Sequence, residues 1–149
     1  NMISIQQGDF NLNTEIQAMT NGSTNVGAVV GFIGLVRDLA SSGDVTAIEL
    51  EHYPAMTEKS LADIIAQAQQ RWPLLAVRVI HRIGYLKAGE QIVLVAVASQ
   101  HRHAAFDAAA YIMDFLKTKA PFWKKEYING VGQWVEAKTS DNEALQRWS

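Results

Sequence analysis

The longest apolar run in the chain, Ile92-Val93-Leu94-Val95-Ala96-Val97-Ala98, is only seven residues long. That is far short of the roughly 18 residues a membrane-spanning helix needs. Bounded by polar residues and rich in valine, it reads as a strand. The stretch Val26–Val36, Val-Gly-Ala-Val-Val-Gly-Phe-Ile-Gly-Leu-Val, reads as a second, buried strand. Its glycines mark bulges or close backbone approach. They do not form a phosphate loop, because neither GxGxxG nor GxxxxGK[ST] occurs.

Three prolines punctuate the rest. Pro54 opens a helix after the alternating strand Ala47–Tyr53, a position where its missing N–H costs nothing. That helix continues through Glu58–Trp72, with Leu61, Ile64, Ile65 and Ala68 on one face, and Pro73 ends it. Ala76–Tyr85 and Gln91–Ser99 read as a hairpin closed by Lys87-Ala88-Gly89. A long helix follows from about His101 to Thr118, stopped by Pro121. Phe122–Ile128 and Gln133–Ala137 form a last strand pair around Asn129-Gly130, a strong turn dipeptide. A strand at Ile3–Gln7 and a short helix at Thr14–Met19 complete the N-terminal part, and Asp38–Asp44 is a polar loop. Hairpins dominate over βαβ units, so the expectation is one α+β domain over residues 1–149.

Composition narrows the function. With 48% hydrophobic and 19% charged residues, this is an ordinary globular composition. A net charge of −2 argues against nucleic-acid binding, so any anion site must be a local cluster. No basic-then-apolar leader is expected at the N-terminus. The chain has no cysteine, which excludes disulfides, thiolate metal sites and a cysteine nucleophile. Sulfur, if handled at all, arrives on another molecule.

Basic groups gather late: His101, Arg102, His103, Lys117, Lys119, Lys124 and Lys125, opposed by Asp107, Asp114 and Glu126. Two readings fit this cluster, a solvated basic face or an anion site. On a helical wheel Lys117 shares an arc with Phe106, Ala109, Ala110 and Met113. It either snorkels past the helix end or lines a pocket, where partial desolvation would make it a usable base. Arg102 lies on the same face 15 residues earlier, about 22 Å along the axis. One small phosphorylated ligand cannot touch both ends of such a helix. His101 and His103 point about 200° apart and do not chelate one ion; an anion site at the helix N-terminus suits them better. His52 and His81 read as strand or core histidines. Arg37 follows the buried strand directly, as either a functional junction residue or a loop arginine in water.

Several blocks together resemble the molybdopterin synthase large subunit family. They are Gly31-Phe32-Ile33-Gly34-Leu35-Val36-Arg37, Leu50-Glu51-His52-Tyr53-Pro54-Ala55-Met56-Thr57-Glu58-Lys59 and Val79-Ile80-His81-Arg82-Ile83-Gly84. His101-Arg102, the block Met113–Glu126 and Trp134-Val135-Glu136-Ala137 follow in the family's order and spacing over about residues 26–141. The lysine-rich block through Pro121-Phe122-Trp123-Lys124 is the most specific.

The resemblance implies an α/β-hammerhead fold and a cytoplasmic homodimer inside a heterotetramer. Each copy would hold a small ubiquitin-like sulfur carrier whose Gly-Gly tail ends in a thiocarboxylate. The substrate implied is cyclic pyranopterin monophosphate (precursor Z), which two sulfur transfers convert to the molybdopterin dithiolene. No metal or other cofactor is implied for this step, nor any nucleic acid or membrane. Carried over by position, Lys117 and Lys124 are catalytic, while Arg37, His101, Arg102, Lys125, Glu126 and Lys138 bind substrate. Leu35 departs from the pattern, since relatives can have lysine there. A thiocarboxylate is already nucleophilic, so the protein would position reactants, neutralise charge and move protons. Two other functions fit the same basic groups. One is a non-enzymatic docking partner for a ubiquitin-like carrier, the other a phosphate-ester transferase.

Overall fold

A computed structural model describes residues 2–37, 45–128, 130–135, 143 and 145–148. The order of elements is β1 (Ile3–Gln6), α1 (Leu12–Thr20), β2 (Ala28–Leu35), β3 (Val45–His52), α2 (Pro54–Arg71), β4 (Leu74–Arg82), β5 (Gly84–Lys87), β6 (Gln91–Ser99), α3 (Arg102–Lys119), β7 (Phe122–Ile128) and β8 (Val131–Val135). The loop 38–44, Asn129 and residues 136–142, Lys138 among them, lie outside the described residues. The fold is α+β, with two four-stranded sheets.

The apolar run opens to its explanation in the first sheet, ordered β1-β4-β6-β2. β6 is antiparallel to both β2 and β4, and β1 runs parallel to β4. Side chains alternate across a strand, so a strand covered on both faces needs apolar residues at every position. Val93, Val95 and Val97 pack with Val77 and Val79 against Leu61, Ile64 and Ile65 of α2 and Ala105, Ala108, Ile112 and Leu116 of α3. On the reverse face Leu94 and Ala96 join Ile80 and Phe10, covered by Leu12 and Met19 of α1. The expected close approach at a β2 glycine is present: a Cβ on Gly34 would sit 2.8 Å from Val93 Cγ1.

The second sheet, ordered β5-β3-β7-β8, corrects the hairpin expectation. Residues 76–85 are not one strand. β4 stops at Arg82, and Gly84 takes φ +87°, a left-handed conformation that only glycine adopts freely. The chain swings away, and β5 pairs with β3 instead of β6. The tight turn at Lys87–Glu90 survives, with the Glu90 carboxylate accepting from the Lys87 N–H at 2.6 Å. Val36, Ile48, Leu50 and Leu86 fill the space between the sheets, with Ile92 and Ile128 against them. β7 and β8 form the last antiparallel pair, with Ile128 opposite Val131.

Two junctions set the position of the site. Thr57, fully buried near the start of α2, accepts from the Tyr53 N–H at 3.2 Å and donates to the Pro121 carbonyl at 3.0 Å. This anchors the entry to β7 against α2. α3 ends two residues before, at Lys119, with Ala120 as its C-cap. Its buried residues are Ala105, Ala108, Ala109, Tyr111, Ile112 and Leu116, centred about 100° from the arc expected from the sequence. Phe106 is 60% exposed. Met113 and Lys117 border the core rather than centre on it.

Candidate functional site

Where the open end of α3 meets both sheets, a cavity of about 620 Å³ forms. Its apolar wall comes from β2 (Phe32, Ile33, Leu35), β3 (Ile48, Leu50), Met113 and Leu116 of α3, and Phe122. Among the described residues four charged side chains line it: Arg37 just past β2, Lys117 in the last turn of α3, and Lys124 and Glu126 on β7. Three cations face one carboxylate in a chain of net −2. Of the basic cluster read from the sequence, Lys117 and Lys124 line this cavity, and Arg37 joins them from β2's end. Such a lining suits a phosphate ester, which arginine and lysine hold by charge-assisted hydrogen bonds. Lys117 sits at the helix C-terminus, where the dipole favours a cation.

Strand alternation sorts β7. Lys124 lies opposite Leu50 and Val135, and Glu126 opposite Ile48, all of them cavity residues. Lys125 points the other way. It lies opposite Glu49 and Trp134, with Nζ 5.0 Å from the Trp134 ring and 6.0 Å from that of Tyr127. Tyr127 donates to Glu49 at 2.8 Å, and that hydrogen bond, chiefly, raises the phenol's pKa. Lys125 is thus not on the cavity wall of its own chain.

The other end of α3 is also apart. His101, Arg102 and His103 are exposed and line no part of the cavity. Arg102 stands 15 residues from Lys117, about 22 Å along an unbroken helix. One chain brings together Arg37, Lys117, Lys124 and Glu126, and leaves His101, Arg102 and Lys125 elsewhere. Among the described residues no cluster of three or more His, Asp or Glu side chains could hold a metal ion.

Sequence reasoning passed over His81. Its side chain is 6% exposed and lines the cavity. The ring stacks on Phe122, centroids 3.9 Å apart and planes 17° from parallel. Nδ1 lies 2.8 Å from the Arg82 carbonyl, which can only accept, so Nδ1 carries the hydrogen. Burial pushes the imidazole down to about 4, Lys117 and His52 push the same way, and the Arg82 carbonyl opposes them. The signal was its alternation: Val77, Val79 and His81 share a face of β4, directed toward the helices.

Residues 5–119 match the family described as MoaE protein. The chain belongs to that family. The molybdopterin synthase catalytic subunit of Vibrio cholerae is 53% identical over 146 residues, covering 98% of this chain and 97% of the relative. The molybdopterin biosynthesis MoaE protein from Burkholderia ambifaria superposes with a TM-score of 0.85 at 47% identity, covering 99% of this chain and 97% of that one. The molybdopterin synthase from Staphylococcus aureus superposes with a TM-score of 0.82 at 32% identity, covering 89% and 96%. Among the described residues, no helix is long and apolar enough to cross a membrane.

Proposed function

We propose that this chain is the catalytic subunit of a molybdopterin synthase, a sulfurtransferase of molybdenum cofactor biosynthesis in the cytoplasm. The observation that carries the reading is the cavity in which Arg37, Lys117 and Lys124 converge on one apolar-walled space in a MoaE family member. The substrate is precursor Z, whose phosphate meets the cationic side chains. Sulfur arrives as the C-terminal thiocarboxylate of a small ubiquitin-like carrier, since this chain has no cysteine of its own. Phe32 and Leu35, both exposed at the cavity, offer that tail an apolar lip. Lys117 and Lys124 neutralise charge developing during transfer and relay protons. Glu126, the one carboxylate among the described lining residues, sits on the same wall.

His101 and Arg102 enter through a second copy of the chain. Two-fold pairing would set one copy's α3 N-terminus beside the other copy's Lys117 and Lys124. Phe106, exposed and one turn from Arg102, supports an apolar contact there. Lys138 and Lys125 complete the substrate-binding set in this reading, Lys125 only if it serves the neighbouring copy's site. The full assembly is a heterotetramer of two large and two small subunits.

The test is a sulfur-transfer assay with purified chain, thiocarboxylated carrier and precursor Z. Molybdopterin formation is expected. Carrier binding without conversion would instead make the chain a docking partner, and phosphate release without the carrier would make it a phosphate-ester transferase.

A further inference from the structure

Arg37, Lys117 and Lys124 offer the cavity only hydrogen-bond donors, and Glu126 offers a charged acceptor. His81 differs from all four. Its Nδ1–H is committed to the Arg82 carbonyl, so the neutral ring of this cavity-lining residue keeps Nε2 as its one acceptor. Of the described residues that line the space, it alone brings an uncharged nitrogen or oxygen acceptor on a side chain. Its direction is fixed twice over. Phe122 stacks on the ring, and Phe122 is itself held by its N–H donating to the Ala120 carbonyl at 2.9 Å, next to the Pro121 carbonyl that Thr57 anchors. Electrostatic interaction with Lys117 of α3 and with His52 of β3 further disfavours a second proton on the ring.

Such a group has a definite selectivity. A phosphate or thiocarboxylate oxygen has no hydrogen to give it and would meet lone pair against lone pair. A ring N–H or hydroxyl of a ligand pairs with it well. The cations and His81 therefore divide one ligand between them, its anionic end on the lysines and its donor-bearing ring on the imidazole.

We propose that His81 is a substrate-positioning residue, accepting through Nε2 a hydrogen bond from a neutral N–H or O–H of the heterocycle while Arg37, Lys117 and Lys124 take its phosphate. This deepens the synthase reading and rests on it. It makes the recognised class a phosphorylated heterocycle with a ring-side donor, rather than any phosphate ester of suitable size.

Two substitutions separate this from a structural role. His81→Asn keeps an amide N–H where Nδ1 stood, so the Arg82 carbonyl stays paired, but removes the Nε2 acceptor. His81→Gln reaches farther and restores an acceptor near Nε2. With saturating thiocarboxylated carrier, His81→Asn is expected to raise KM for precursor Z about 10-fold, as loss of one buried hydrogen bond does. Its kcat should fall less, its inhibition by inorganic phosphate should be unchanged, and His81→Gln should recover part of the loss. A folded His81→Asn with wild-type KM overturns the proposal. So does an equal loss of affinity for inorganic phosphate, which marks a general distortion. A second measurement needs no variant: in wild-type protein the Nε2 nitrogen-15 resonance of His81 should move upfield on adding precursor Z but not inorganic phosphate, and an unmoved resonance overturns the proposal. Wild-type protein that makes no molybdopterin at all overturns the synthase reading, and this proposal with it.

Discussion

Because His81 is buried as a neutral ring, it ties the stability of the fold to pH. The imidazole sits at about 4 in the folded chain, against an ordinary 6.5 once the chain unfolds. As pH falls, the unfolded state takes up this proton first. Stability is therefore fully present above about pH 6.5 and is lost progressively as pH falls toward about 4. Integrating the two titrations between about pH 7 and pH 5 gives a loss of about 2 kcal/mol from this one residue. His81→Asn cannot titrate, so its loss over the same interval should be smaller by that amount. Asp9, held low chiefly by the hydrogen bond from the Gln91 side chain, is common to both proteins and cancels in the difference. Urea unfolding at the two pH values, at one fixed protein concentration, measures this directly. Equal pH slopes for wild type and variant would refute the claim that a neutral imidazole is locked in the cavity wall.

Ile112→Ala should destabilise the chain by about 2–5 kcal/mol in urea unfolding, since Ile112 is fully buried between α3 and the first sheet. Unchanged stability would mean that α3 is not seated as described. Arg37→Ala and Lys124→Ala should each raise KM for precursor Z by about 10-fold or more, as expected for losing a charge-assisted contact. If both bind it as tightly as wild type in calorimetry, the phosphate does not sit among these cations. A mixed dimer of Lys117→Ala and Arg102→Ala chains should regain one intact site and up to about half the activity of a wild-type dimer, while neither variant homodimer works well. Mixed dimers that form but stay inactive, while wild-type subunits exchanged the same way stay active, would argue against a shared site.

Much of the fold is written in local features. Pro54, Pro73 and Pro121 bracket two helices, and the run Ile92–Ala98 is apolar at every position because helices cover both faces of its sheet. The break between β4 and β5 is not local. Gly84 reads equally well as an interior strand glycine until its φ of +87° and the pairing of β5 with β3 are known. The face of α3 is ambiguous for a different reason. Ala104, Ala105, Ala108, Ala109 and Ala110 are apolar on several sides of the helix at once, so only Tyr111, Ile112 and Leu116 decide its rotation. That offset placed Lys117 mid-arc, whereas it stands exposed at the cavity rim.

The cavity's charged residues could be named singly from the sequence but not assembled. Arg37, Lys117, Lys124 and Glu126 come from three separate segments, and only the meeting of the two sheets at the end of α3 joins them. Lys124 and Lys125 are neighbours in sequence and opposites in space, a consequence of the two-residue period that a basic run conceals. His81 looked like one more strand residue, because the cavity beside it is made by Phe122, about forty positions later.

In the proposed mechanism Lys117 acts on the reaction itself. A single-turnover experiment tests it most directly: preformed complex of Lys117→Ala chain and thiocarboxylated carrier, mixed with precursor Z, with molybdopterin measured over time. The expected result is a folded variant that retains its carrier and melts like wild type, yet makes product at least about 100-fold more slowly, as loss of a positioned acid–base group does. Conversion at near the wild-type rate by that folded, carrier-bound variant would contradict it.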